Sequence, residues 1–440
     1  MVHKAGWLAM AGVLAAVLTG CSTPSGPSTQ PAPSTPTPTA TTSPTPTPTP
    51  TLNRPTLTPP RQFDVVHTVR LSPVDQVTAG ILTGQDFVTM SANTVWGINV
   101  HDGSVAFRTP LGGGNPSCWQ QVVDTRRAYT ITLDESSYPA TVRVTAVDRA
   151  DGAMAWTYQP PVGALLTGAD CGTATSTLTL TKHGLVVSLS RTDQSIIGQP
   201  VSSLSWMLDP ASGQPVWQTD TAVLATDGAD FGVSVAIAKI PTPMGVYFYQ
   251  ASPVDLTTGE IGPAFWQTAN SMQLAGRYQL AGRTGDDLIL LAHTTGTIDT
   301  VSTVYHVSAA TGQASSQPVA TLQPGNLGDC QLAPPGQLVC TVTDAPTMAY
   351  GVSLADGSTV WQHPFKAANS TSPPLLFGGN LYGFDSDKHM SYVLDTVDGT
   401  VLQAAPYPPA IAVNEAGLVF VLPQADQMNA WQCWWAPALA

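Results

Sequence analysis

Ala146-Val-Asp148-Arg-Ala-Asp-Gly152-Ala-Met-Ala-Trp156 returns 61 residues later as Met207-Leu-Asp209-Pro-Ala-Ser-Gly213-Gln-Pro-Val-Trp217. Each copy sets a short polar residue four before a glycine and a tryptophan four after it. The same turn recurs at Asn99 to Gly103, Asp255 to Gly259, Ser308 to Gly312, Ser353 to Gly357 and Asp395 to Gly399. An Asp or Ser that closes a strand accepts a backbone N–H two or three residues on and starts the reversal. The glycine supplies the positive φ that re-enters the next strand without a Cβ clash. Aromatics follow at Phe107, Trp156, Trp217 and Trp361, on the outgoing strand, where a flat ring fills the space between neighbouring units. Successive turn glycines lie 49, 61, 46, 53, 45 and 42 residues apart. That period is one four-stranded propeller blade, not one turn of a helical solenoid.

A second repeating element sets the count. Short apolar runs rich in Val, Leu, Phe and Tyr stand at Asp86–Ala92, Ala128–Asp134, Gly184–Ser190, Gly245–Ala251, Asp287–His293, Gln337–Thr343, Asn380–Ser386 and Gly417–Pro423. Eight runs meet seven glycine turns, so the last unit, which continues through Met428–Trp435, lacks its outer strand. The alternating stretch Phe63–Leu71 is the natural replacement, closing the ring so that no sheet edge stays unpaired. The expectation is an all-β, eight-bladed propeller of four-stranded antiparallel blades closed by the N-terminal strand. Seven blades is the fallback if the long interval from Gly152 to Gly213 holds something else. Trp431, Trp434 and Trp435 read as packing for that closing blade, with an exposed binding surface as the alternative.

The first 61 residues differ in kind. Lys4 precedes the apolar run Ala5–Leu18, and Leu18-Thr19-Gly20-Cys21 closes it. Those 14 residues suit a secretory signal and fall short of the roughly 20 that span a bilayer. Residues 22–61 are almost entirely Pro, Thr and Ser, with too little apolar surface to repay ordering. At about 3.1 Å per residue, a tract of this length in extended polyproline form reaches on the order of 100 Å. It reads as a disordered stalk, or as a spacer of no set length. Residues 62–440 form one folded domain, the size of an eight-unit ring.

The formal charge of −13 excludes the basic surface that nucleic acid requires. Besides Cys21, five cysteines remain, and an exported chain permits disulfides. Cys330 and Cys340 flank the hairpin Pro334-Pro335-Gly336 and are candidates to pair. Cys118 and Cys171 hold similar places ahead of successive blades and form a second candidate pair, leaving Cys433 buried near the tryptophans. The catalytic signatures are missing: Gly-x-Ser-x-Gly, His-Glu-x-x-His, a phosphate loop and Cys-x-x-Cys do not occur. His183, His293, His306 and His389 are scattered and read as satisfied polar residues. Asp385-Ser386-Asp387 starts like a calcium loop but lacks the glycine and distant glutamate, so it reads as a turn. No catalytic, cofactor-binding or metal-binding residue is assigned.

Leu18 to Cys21 resembles the lipobox of bacterial lipoproteins, which implies lipidation of Cys21 and stable membrane attachment through its acyl chains. The repeats at Asp148–Trp156, Asp209–Trp217 and Val352–Trp361 resemble those of quinoprotein-type (PQQ-like) propellers, whose Ala-x-Asp-x-x-Thr-Gly-x-x-x-Trp pattern docks each tryptophan on the next blade. Pro263, Ser316 and Gln403 stand where other units would carry the aromatic. The resemblance implies structural roles for Gly103, Gly152, Gly213, Gly259, Gly312, Gly357, Gly399, Trp156, Trp217 and Trp361. It has two branches. Quinone dehydrogenases carry adjacent cysteines and calcium, and this chain has no such cysteine pair, so pyrroloquinoline quinone with calcium lacks support and no cofactor is expected. BamB-like lipoproteins join a lipobox to an eight-bladed ring that presents loops to a protein. That branch implies a monomeric scaffold on the extracytoplasmic side of the cell membrane with an envelope protein as partner. A quinone-dependent enzyme and a binder of cell-wall polymer or carbohydrate are the alternatives.

Overall fold

The computed structural model describes residues 59–439 except 65, 76–79, 92, 113–117, 135–139, 167–173, 192–201, 241–245, 268–276, 296–299, 319–326, 335, 343–347, 365–373, 386 and 425–426. The expected signal segment, the lipobox-like Leu18–Cys21 and most of the Pro/Thr/Ser tract therefore lie outside the described residues, as does Cys171. The chain divides into two units, Met1–Pro55 and Thr56–Ala440, and the second holds every described residue.

Second strands such as Arg127–Asp134 and Leu185–Arg191 are buried along most of their length, which is why they read as unbroken apolar runs. Outer strands such as Val105–Pro110 alternate exposed and buried residues. Four antiparallel strands of this kind make each of eight sheets, paired in chain order in seven of them. Blades 1 to 7 span residues 80–110, 118–158, 174–219, 222–267, 277–318, 327–364 and 375–405. Blade 8 takes three strands from 410–437 and its outer strand from Val69–Asp75. First strands pack side by side between blades 1 and 2, 2 and 3, 5 and 6, 7 and 8, and 8 and 1, so the last blade meets the first and the ring is closed.

The core lies in the seams between blades. Seven apolar clusters together fill all eight seams. One cluster holds Phe63, Tyr382, Tyr407 and Phe420 between blades 7 and 8, and another holds Leu71, Phe87, Cys433 and Trp435 between blades 8 and 1. The chain is an eight-bladed β-propeller.

Two expectations shift. The closing strand runs Val69–Asp75, with Val69, Arg70 and Leu71 opposite Trp435, Trp434 and Cys433. Its start is delayed because the Asp64 carboxylate accepts the N–H of Val66 and of His67 and turns the chain there. Phe63 makes only an isolated bridge to Ala438. In blade 4, the run at Gly245–Ala251 falls on the third strand, Val246–Asp255, and the second strand is Phe231–Ile240.

Candidate functional site

The seven glycine turns share one geometry. In each, the glycine N–H donates to the carbonyl of the polar residue four before it, at 2.8–2.9 Å. The glycine φ values lie between 69° and 76°. The side chains of Asn99, Asp148, Asp209, Asp255, Ser308, Ser353 and Asp395 accept a backbone N–H two or three residues on. A second capping residue escaped the sequence reading. The side chain just before each glycine (Asp102, Asp151, Ser212, Thr258, Thr311, Asp356, Asp398) accepts the N–H of the residue just after it. Its signal was available, since every one of those positions is Asp, Ser or Thr. The hydroxyls of Ser104, Ser358, Thr400 and Ser212 hold the carboxyls of Asp102, Asp356, Asp398 and Asp209, in that order, below the usual range.

The tryptophans tie one blade to the next. Trp156, Trp217 and Trp361 donate their indole N–H to the carbonyls of Pro210, Leu256 and Thr396 at 2.9, 2.9 and 2.6 Å. Each acceptor directly follows the polar residue that opens the next blade's turn. The indole lies flat against that turn's glycine: a Cβ on Gly213 would meet Trp156 at 2.5 Å, and one on Gly259 would meet Trp217 at 2.8 Å. Gly399 stands in the same relation to Trp361, and Gly152 to Phe107. At Gly312, where Pro263 replaces the aromatic, Pro253 and Phe231 fill the space. At Gly103 the neighbour is the Arg70 carbonyl of the closing strand. These glycines thus serve the backbone turn and the blade contact at once.

Several ionic groups at the glycine-turn end also join blades. Lys182 and His183 both reach Asp230 Oδ1, at 2.7 and 2.8 Å, linking blades 3 and 4; the Lys182 ammonium above all holds that carboxyl below its usual range. Arg149 pairs with Asp86 at 3.0 Å, and the nearly buried Arg127 donates to the carbonyls of Pro210 and Ala211. At the opposite end, Asp385 accepts the N–H of Asp387 and Lys388 and pairs with the Lys388 ammonium at 3.2 Å. Burial opposes its ionisation, but those donors prevail and keep its carboxyl below the ordinary value. The His363 ring packs 5.3 Å from Tyr392, and burial, then Lys388, lowers its pKa. His306 stands 3.5 Å from Asp287; the His293 side chain lies outside the described residues.

Cys330 and Cys340 sit directly opposite each other on the first two strands of blade 6 and are joined by a disulfide, fully buried against blade 5. Cys118 opens the first strand of blade 2 opposite Leu133, but its side chain and all of its candidate partner Cys171 lie outside what is described, so the pair remains an expectation. Cys433 is buried in the closing seam, and Trp435 packs beside it; Trp434 packs in the seam of blades 7 and 8. The Trp431 side chain is not described. A half-open cleft of about 610 Å³ is lined by Pro59, Pro60, Arg61, Gln62, Glu415, Ala416, Ala438 and Leu439, where the chain enters the ring. Among the described residues, no three His, Cys, Asp or Glu side chains are grouped to hold a metal ion.

No protein-family model matches the sequence, and no curated protein matches it. Solved structures do match. The computationally designed Ika8 protein is 12% identical with a TM-score of 0.52, the match covering 83% of this chain and 98% of that one. The Dos1 propeller is 9% identical with a TM-score of 0.52, covering 84% and 95%. A europium-containing methanol dehydrogenase is 12% identical with a TM-score of 0.47, covering 83% of each chain. At such identities the likeness is one of fold alone.

Proposed function

We propose that this chain is a membrane-anchored extracytoplasmic lipoprotein whose propeller is a monomeric binding scaffold for a protein of the cell envelope. The observation that carries the reading is the continuity of three parts. A lipobox-like Leu18 to Cys21 and a Pro/Thr/Ser tract lead into Pro59–Phe63, which is fixed to the ring between blades 7 and 8. An acyl anchor on Cys21 keeps the ring at the membrane, and the stalk sets its reach. Trp156, Trp217, Trp361, Arg127 and Arg149 bind across blade seams while the turn carboxylates cap their own turns, which suits a rigid frame presenting loops to a partner.

The test is to fractionate the native host and to analyse the mature N-terminus by mass spectrometry. The reading predicts a membrane-bound chain that begins at an acylated Cys21, and release of the Cys21→Ser variant from the membrane. An unmodified Cys21, or a variant that stays membrane-bound, contradicts it.

A further inference from the structure

We propose that residues 59–75 form a latch that opens and closes as one unit, with Asn380 and Tyr382 as its catch. This goes beyond the anchoring reading and does not depend on it. Pro59 and Pro60 have no N–H to offer, so a carbonyl is the backbone handle available at this point. The Pro60 carbonyl accepts two bonds from blade 7, from Asn380 Nδ2 at 3.1 Å and from the Tyr382 hydroxyl at 2.8 Å. Both donors are buried, at 2% and 4% exposure, so their polar groups are committed to this acceptor and not shared with bulk water. Pro59 lies so close to Gly378 that a Cβ there would meet it at 2.8 Å.

The segment then enters two seams in turn. Phe63 is 2% exposed and sets its ring edge-on to Tyr382 at 5.8 Å, so a single tyrosine holds both the carbonyl and the phenylalanine. Gln62 O accepts Leu439 N–H, and Asp64 N–H donates to Pro437 O, both at 2.9 Å. Eight residues beyond Phe63, Leu71 is buried on the far side of blade 8. One short chain segment thus staples blade 8 to both of its neighbours. Its own pairing is thin: three consecutive residues, Val69 to Leu71, and then a register shift before Asp75. Thin pairing where the chain enters the ring, held by a few side chains on another blade, is how a locally opening unit is built. Release would uncover the Gln427–Pro437 strand as an edge.

Hydrogen–deuterium exchange on the full chain tests this. Tyr382→Phe keeps the ring under Phe63 and removes the hydroxyl, and Phe63→Ala empties the seat from the other side. In the wild type, amides of 69–75 should exchange well before those of Arg127–Asp134 in blade 2. Tyr382→Phe should speed exchange of 69–75 and 427–437 about tenfold, the factor a single lost hydrogen bond gives. Phe63→Ala should speed the same peptides further, and blades 2 to 5 should not change. If 69–75 exchange only together with blade 2, or if the two variants shift all peptides alike or none, the latch is refuted.

Discussion

Gly213→Ala should cost far more than an alanine in a left-handed turn ordinarily does. The glycine has a φ of 72°, which an L-residue adopts at a cost of about 1–2 kcal/mol. A Cβ there would stand 2.5 Å from Trp156 Cδ2, so the indole must move. Moving it strains the indole N–H bond to Pro210 O, worth about 1 kcal/mol, and overpacks the contact by roughly 1–3 kcal/mol. The sum is about 3–6 kcal/mol. Gly84 supplies the control. Its φ is 60° and no atom lies within 4 Å of the added Cβ, so Gly84→Ala should cost only the backbone part, about 1–2 kcal/mol. Urea unfolding followed by tryptophan fluorescence reads both, compared on the first transition. A double-mutant cycle isolates the contact: with Trp156→Ala in place, Gly213→Ala should fall to the cost of Gly84→Ala. Equal costs for Gly213→Ala with and without Trp156 would refute the docking account.

Trp361→Phe keeps an aromatic ring but loses the bond to Thr396 O, and should lower stability by about 1–2 kcal/mol in the same urea assay. Replacing Cys330 and Cys340 together by alanine opens a short closed loop and should cost about 3 kcal/mol, read as a drop in the urea midpoint. The Asp209 carboxyl is held below its ordinary value, first by the Ser212 hydroxyl and then by the Ala211 N–H. A depressed folded pKa contributes stability above the unfolded value of about 4, and that stability is lost as the pH falls through the folded pKa. An NMR titration should therefore place Asp209 below ordinary aspartates, and Ser212→Ala should move it up.

How much of the molecule could be read from the sequence depends on how local each cause is. The glycine turns were legible because polar residue, glycine and aromatic all fall within nine residues, and each position has a chemical requirement of its own. The blade count was legible because second strands are buried on both faces and appear as unbroken apolar runs. Blade 4 was misregistered for the same reason: Phe231–Ile240 and Val246–Asp255 are both long runs, and the run nearest the turn drew the pairing. The start of the closing strand was hidden because the alternation from Phe63 continues through a turn made by one aspartate. The acceptors of the tryptophan N–H groups left no trace, since every residue carries a carbonyl. The same holds for the Lys182–Asp230 and Arg149–Asp86 pairs, which only the ring brings together. The Pro60 catch joins residues some 320 positions apart and has no signal in the chain at all.

The most direct test of the central claim, an anchored scaffold with an envelope partner, is reciprocal crosslinking and purification of the lipidated chain from its native host. The account predicts one envelope protein recovered in fixed ratio from either direction, and its loss when Cys21→Ser releases the ring. A chain that is recovered alone, or with a small cofactor or a glycan in place of a protein, contradicts it.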